Sequence, residues 1–113
     1  MTAEAQTLVH GTFRIAAEDR QRFIELVRDH FLETAQATPG CLFYSCCADI
    51  ADDGVFHLVE GWRDRAALDA HLASERLRLA RAKLAAVTMH NYQTVIYEVG
   101  QAARYVPTDL PIT

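Results

Sequence analysis

Four stretches of the chain have the pattern of β-strands. Leu8 to Ile15 alternates apolar and polar residues, which is the period of a strand with one buried face. Cys41 to Ile50 and Val55 to Trp62 are instead apolar at both odd and even positions, so both of their faces avoid water. The Asp53-Gly54 pair between them predicts a hairpin turn with positive φ. Tyr92 to Val99 is the fourth predicted strand.

Two segments between these strands carry apolar residues at the 3.6-residue spacing of amphipathic helices. The first begins near Glu18 and continues to about Gln36, before Pro39-Gly40. The second begins after Asp64, a residue type that caps helices, and Ser74 marks a second cap before the helical pattern resumes up to Ala86. The order βαββαβ predicts an α+β, ferredoxin-like fold with an antiparallel four-stranded sheet.

One face of such a sheet is covered by its two helices and the other is left open. Since the second and third strands are apolar on both faces, we expect a second copy of the chain to cover the open face. The sequence therefore predicts a homodimer whose two sheets pack face to face, a dimeric α+β barrel. It also predicts a single domain over residues 1–100 and an extended C-terminal arm over 101–113, which contains Pro107 and Pro111.

Composition narrows the classes of function. The chain has 113 residues, of which 50% are hydrophobic and 23% charged, and its net charge is −4, so we do not expect nucleic acid as a partner. No apolar run is long enough for a membrane span, and the N-terminus lacks the pattern of a signal peptide. Three cysteines, an odd number, suit a reducing compartment, and we expect a cytoplasmic protein.

Two motifs resemble a known family. The segment from Glu60-Gly-Trp62 into Ala67-Leu68-Asp-Ala-His71-Leu72 resembles the signature of the antibiotic biosynthesis monooxygenase domain, and Pro39-Gly40-Cys41 resembles that family's turn before its second strand. The resemblance covers roughly residues 7–100. It implies a dimeric α+β barrel, in agreement with the argument from the open face.

The resemblance also implies a chemistry. Members similar to this chain include quinol and anthrone monooxygenases that use O2 without metal, flavin or haem, so we expect no cofactor and an aromatic small molecule as substrate. A deprotonated phenol can give an electron to O2 directly, so the protein needs an apolar cavity and a base with a pKa near neutral. The haem-degrading branch has a haem-ligating histidine in the region where this chain has Arg81. A non-catalytic binding or stress-response protein, and isomerase or lactone chemistry on the same scaffold, remain open alternatives.

His71 and Glu60 are the candidate catalytic residues. His71 lies on the inner stripe of the second helix, one turn after Ala67 and Leu68, so it points towards the sheet. It either contacts the substrate as base or proton shuttle, or orients the helix through a buried hydrogen bond. Pairing with Glu60 would raise the basicity of the imidazole.

Four further residues are candidates for the substrate pocket. Trp62 is either a core aromatic or an apolar wall, and Tyr44 either a cavity hydroxyl or a strand-forming aromatic. His10 and His57 lie on the first and third strands, which are neighbours in this fold, and we interpret them as polar residues lining the cavity. Because no third ligand lies at a suitable spacing, we predict no metal site.

Overall fold

The computed structural model describes residues 4–112. Its strands are β1 (Thr7–Ile15), β2 (Cys41–Ala48), β3 (Val55–Trp62) and β4 (Met89–Glu98). The α-helices are α1 (Arg20–Leu26), α2 (Leu32–Gln36), α3 (Arg65–Leu72) and α4 (Glu75–Ala82). Two 3₁₀ turns, Ala17–Asp19 and Lys83–Ala86, and a π-helical segment, Val27–Phe31, complete the described elements.

The four strands form one antiparallel sheet in the order β2-β3-β1-β4. This is the ferredoxin-like arrangement, so the predicted fold class is confirmed. β1 and β3 are neighbours in the centre of the sheet, as the sequence predicted. The helices cover one face of the sheet, here called the helix face, and the opposite face is called the open face.

The helix face contains most of the core because side chains alternate along each strand. On β1, Val9, Phe13 and Ile15 are buried on this face. The rings of Phe13, Phe23 and Phe56 pack against one another at centroid distances of 4.9 to 6.3 Å. These contacts fix the first helix over the centre of the sheet.

The first predicted helix is continuous in outline but contains a π turn. Segments α1 and α2 flank Val27–Phe31, where the backbone takes one wider turn. Thr34 donates a hydrogen bond from its hydroxyl to the carbonyl of His30 at 2.6 Å, at the end of this segment. Single π turns occur often at functional sites, and both Val27 and Phe31 line the cavity described below.

The predicted second helix is two helices, as the two cap residues indicated. The Asp64 side chain accepts a hydrogen bond from the backbone N–H of Ala67, and Ser74 accepts one from Leu77. Each cap satisfies an N–H group that the first helical turn leaves free. Asp64 and Ser74 therefore set where α3 and α4 begin.

Three predicted strand details were wrong. β2 ends at Ala48 rather than Ile50, because Asp49 turns the chain by accepting a hydrogen bond from the N–H of Ala51. Gly54 does not have a positive φ, since the connection is a longer loop in which Asp52 accepts from the N–H of Gly54. β4 begins at Met89, three residues early, because a bulge at Asn91, with φ of 55°, lets the strand continue.

The open face exposes large apolar side chains. Val59, Val95, Tyr97 and Phe43 are between 37% and 49% exposed there. The ring of Phe43 lies over Gly61, where an added Cβ would meet it at 2.2 Å. The second copy predicted to cover this face stays a prediction.

Residues 101–112 contain neither helix nor strand, and their apolar side chains are exposed. The predicted extended arm stays a prediction, and Thr113 and residues 1–3 lie outside the described residues. The domain boundary at residue 100 stays a prediction. None of the helices within residues 4–112 is long and apolar enough to cross a membrane.

Candidate functional site

A cavity lies between the helix face of the sheet and the helices. It has two adjoining parts of about 80 Å³ and about 270 Å³. We name the first the aromatic lobe, because Phe13, Phe23, Phe31 and Tyr44 line it, and the second the β4 lobe, because Thr94 and Ile96 line it. The residues that line both lobes are Leu58, Glu60, Leu72, Arg81 and Tyr92.

His71 lies in the wall of the aromatic lobe and is 3% exposed. α3 presents it to the sheet one turn after Ala67 and Leu68, as predicted from the helical spacing. Its Nδ1 atom is buried and has no hydrogen-bond partner among the described residues. A buried polar atom without a partner costs about 1–3 kcal/mol, so burying this nitrogen lowers the stability of the protein.

Glu60 does not pair with His71, and this prediction was wrong. The Nε1–H of Trp62 donates to the Glu60 carboxylate at 2.9 Å in a buried contact. Both residues project to the helix face of β3 because they are two positions apart. The indole needs an acceptor when it is buried, and Glu60 is the acceptor nearest along its own strand.

Trp62 supports the site without lining the cavity. It is fully buried, and its ring packs on that of His71 with centroids 4.8 Å apart and planes inclined by 33°. The prediction of Trp62 as a cavity wall is therefore corrected. Glu60 fixes the indole of Trp62 through a hydrogen bond, and the indole fixes the imidazole of His71 through ring packing.

Burial and charge shift the titration of the polar residues around the cavity. The pKa of His71 is lowered, first by burial and then by the nearby Arg81 cation, so the ring stays neutral to lower pH. The pKa of Glu60 is raised by burial, against the opposing effects of the Trp62 hydrogen bond and Arg81. Burial, followed by the charge of Glu60, raises the pKa of Tyr44. Burial also raises the pKa of Cys46 to about 12, so this thiol stays protonated.

The sequence interpretation missed Arg81. It was not among the candidate pocket residues, but it lines both lobes of the cavity. Within residues 4–112 it forms no ion pair with a carboxylate. The available signal was its spacing, because it follows the buried Leu77 and Ala80 by one turn and by one residue on α4. Tyr92, which was not among the candidate pocket residues either, also lines both lobes.

The placement of His10 and His57 in the cavity was wrong. His10 alternates with the buried Val9, and His57 is opposite Thr12, so both lie on the open face. There His10 Nε2 is 3.2 Å from His57 Nδ1, and His57 Nε2 is 2.8 Å from the carboxylate of Asp49. The whole thickness of the sheet separates this chain of hydrogen bonds from His71. Across the part of the chain that the structure describes, no three His, Cys, Asp or Glu side chains form a group that could hold a metal ion.

Tyr44 lies where the sequence predicted it. It is on β2 opposite Glu60, faces the helices and lines the aromatic lobe. The aromatic lobe thus brings together His71, Glu60 and Tyr44 of the predicted residues, with Arg81 and Tyr92 added. It leaves out Trp62, His10 and His57.

These features define a small α+β protein with a largely apolar, partly open site between sheet and helices, which is lined by a neutral imidazole and a cation. The family model for antibiotic biosynthesis monooxygenases matches residues 7–83. The chain therefore belongs to the antibiotic biosynthesis monooxygenase family, as its motifs indicated.

Solved structures agree with this assignment. A protein of Deinococcus radiodurans, named as a candidate antibiotic biosynthesis monooxygenase, superposes with a TM-score of 0.81 at 26% identity, over 89% of this chain and 99% of that one. SnoaB of Streptomyces nogalater, described as a cofactor-independent oxygenase, superposes with a TM-score of 0.73 over 87% of this chain and 96% of that one. At 13% identity, that second likeness is one of fold alone.

A curated relative is also similar. An uncharacterized protein of Synechocystis is 36% identical over 69 residues, which are 61% of this chain and 46% of that protein. The chain thus matches less than half the length of this curated relative.

Proposed function

We propose that this protein is a cofactor-independent monooxygenase that oxidises a quinol-like or anthrone-like aromatic molecule with O2. The observation that carries the proposal is the combination of His71, held neutral by burial, with the Arg81 cation at one apolar cavity. A base that is unprotonated at neutral pH and a cation beside it are what the deprotonation of a phenol needs.

The reaction needs no other reductant. A quinol and O2 give a hydroxyquinone and water, so one oxygen atom enters the ring and the other leaves as water. For an anthrone, the ring CH2 becomes a carbonyl, again with one water released. In both cases the substrate supplies all four electrons, and the protein has to bind it, remove a proton and exclude water.

His71 acts as the base in this proposal. Because Nδ1 is buried, we assign Nε2 as the atom that accepts the proton of the substrate, while the neutral ring carries its own proton on Nδ1. Arg81 stabilises the phenolate that forms, since it lines the same cavity and makes no direct ion pair with a carboxylate among the described residues. Glu60 and Trp62 are positioning residues, which fix the imidazole through the hydrogen bond and the ring contact.

The family and the fold support this proposal. The likeness to SnoaB extends over almost the whole of both chains, and the cofactor-independent chemistry in its description needs no more than the groups found around this cavity. The open face supports a homodimer as the acting unit, because four large apolar side chains on it remain substantially exposed in one chain. We further propose a cytoplasmic location, which suits three cysteines that are all free.

A spectrophotometric screen of the purified protein against quinols and anthrones, under air and under nitrogen, tests the proposal. We expect oxygen-dependent product formation without added metal or flavin. Product formation at equal rates under nitrogen would show that O2 is not the oxidant. Inertness across the whole panel under air would refute the proposal.

A second candidate is a non-catalytic protein that binds a small aromatic molecule. The β4 lobe favours it, because its volume of about 270 Å³ exceeds the roughly 150 Å³ that holds a benzene ring, and His71 does not line this lobe. Saturable binding of aromatic ligands together with inertness in the screen would identify this second function.

A further inference from the structure

The open face carries a pair of histidines that the proposed reaction does not use. Thr12 is the residue opposite His57 and lies two positions from His10, so the two rings are diagonal neighbours on this face. The rings are parallel to within 5° with centroids 5.5 Å apart, and His10 Nε2 lies 3.2 Å from His57 Nδ1. The pairing of β1 with β3 therefore fixes two imidazole nitrogens against each other.

A carboxylate fixes the orientation of the second ring. His57 Nε2 lies 2.8 Å from one oxygen of Asp49, and the other oxygen accepts a hydrogen bond from the N–H of Ala51 at 2.7 Å. The hydrogen bond with His57, followed by that with Ala51, lowers the pKa of Asp49, so this carboxylate stays ionised. An ionised carboxylate only accepts hydrogen bonds, so Nε2 of a neutral His57 carries the ring proton and the lone pair of Nδ1 faces His10.

This arrangement has the features of a metal-binding histidine pair. A histidine that binds a metal ion usually donates its other ring N–H to a carboxylate, as His57 does to Asp49. Metal–nitrogen distances of about 2.0–2.1 Å at a tetrahedral ion place two ligand nitrogens about 3.3 Å apart, close to the 3.2 Å between His10 and His57. An ion would replace the hydrogen bond that joins the rings, with His10 presenting the lone pair of its Nε2.

Exposure and charge also favour a cation at this pair. The side chains of His57 and Asp49 are 33% and 31% exposed, and His10 is exposed, so an ion can reach the pair in a single chain. Asp49 supplies a negative charge, while Arg14, further along the same face of β1, is paired with Asp52. Two protein ligands leave coordination positions for water, so the ion is exchangeable, unlike one in a closed four-ligand site.

We propose that His10 and His57 form a binding site for an exchangeable divalent late transition-metal ion, such as Zn²⁺ or Ni²⁺, and that Asp49 positions His57 for it. Imidazole nitrogen suits these ions, whereas Mg²⁺ and Ca²⁺ prefer oxygen ligands. The thickness of the sheet separates this site from His71, so the ion takes no part in the proposed oxidation. Metal binding here therefore does not depend on the proposed function.

Calorimetric titration of the purified protein with Zn²⁺ at about pH 7.5, where imidazoles are mostly neutral, tests the site. We expect saturable binding of Zn²⁺ and none of Mg²⁺. His10→Gln and His57→Gln should each lower the Zn²⁺ affinity at least about tenfold. Asp49→Asn should lower it about tenfold, because loss of the group that orients a metal-binding histidine costs roughly 10- to 100-fold. His90→Gln, which removes an exposed imidazole on β4, should leave it unchanged.

A second measurement separates imidazole ligands from a thiolate, since Cys47 on β2 is directly opposite His57. We expect the Co²⁺-loaded protein to lack the near-ultraviolet charge-transfer band of a cobalt–thiolate bond, and Cys47→Ser to keep the native Zn²⁺ affinity. A thiolate band that disappears in Cys47→Ser would overturn the proposed ligands. No saturable Zn²⁺ binding, or a native affinity that survives in both His10→Gln and His57→Gln, would overturn the site itself.

Discussion

The two faces of the sheet use the same strands but have different surroundings. On the helix face, Val9, Phe13 and Ile15 are at most 6% exposed, whereas Val95 and Tyr97 on the open face are 48% and 49% exposed. Both faces also carry a histidine group, with His71 against the helix face and His10 with His57 on the open face. One chain thus buries the β1 part of the helix face by itself, and the imidazole of His71 is buried there among apolar side chains.

This contrast indicates that the two faces have different roles. The helix face supplies the core and the cavity within a single chain. The open face supplies exposed apolar area, which is the character of an association surface. Substitutions on the helix face should therefore lower the free energy of unfolding, whereas substitutions on the open face should weaken dimer association.

The largest expected effect is on the helix face. Phe13→Ala removes a ring that packs against Phe23 and Phe56 and should lower the free energy of unfolding by about 3–5 kcal/mol. Thr12→Ala, one residue away on the open face, should change it by less than about 1 kcal/mol. Chemical denaturation of both variants measures the difference, and equal losses would contradict the assignment of the two faces.

The next effect concerns the open face. Val59→Asp places a charge at its centre, and a face-to-face dimer would bury two such charges. We expect the native protein to sediment at twice the 12.7 kDa of one chain. The variant should raise the dimer dissociation constant at least about hundredfold, or about 2.8 kcal/mol.

The fully exposed Ile50 provides the control, because Ile50→Asp adds the same charge outside the sheet. It should leave the sedimentation unchanged. A native protein that sediments as a monomer at all concentrations would contradict the predicted homodimer.

A smaller effect separates charge from hydrogen bonding at Glu60. Glu60→Gln keeps an acceptor for the Trp62 indole, while Glu60→Leu leaves that N–H buried without one. We expect the leucine variant to be less stable than the glutamine variant by about 1–3 kcal/mol, measured by denaturation. Greater stability of the leucine variant would show that Glu60 does not hold Trp62.

The smallest expected effect is a shift along the pH axis. Arg81 is the second cause, after burial, of the lowered pKa of His71, so Arg81→Gln should raise that pKa part of the way towards 6.5. The acid limb of kcat/KM, which reports the base in the free enzyme, should then move to higher pH. Arg76→Gln, on the same helix but outside the cavity, should leave the limb in place. An acid limb of kcat/KM that stays fixed or moves to lower pH in Arg81→Gln would show that Arg81 does not lower the pKa of His71.

The fold was predictable because each element carries a local signal. Strand alternation in Leu8 to Ile15 and the caps at Asp64 and Ser74 are properties of short segments. The bulge at Asn91 was missed because it arises from the pairing of β4 with β1, which no single segment displays.

The site was only partly predictable. The helical position of His71 predicted that it points towards the sheet, whereas for Tyr44 a cavity hydroxyl and a strand-forming aromatic both stayed open. The predicted partner of Glu60 was wrong because His71 and Trp62 are both possible hydrogen-bond donors. The indole of Trp62, two residues away on the same strand, makes the hydrogen bond. Arg81 was missed because an arginine among surface charges looks solvated until the opposite wall of the cavity is known.

Oxygen consumption by His71→Ala tests the central claim most directly. With a quinol identified by the screen, we expect the variant to consume O2 at least about tenfold more slowly than the native protein, because general bases contribute at least that much. His90→Ala, an exposed histidine outside the cavity, should keep the native rate. A folded His71→Ala protein that consumes O2 within about twofold of the native rate would contradict the role of His71 as the base.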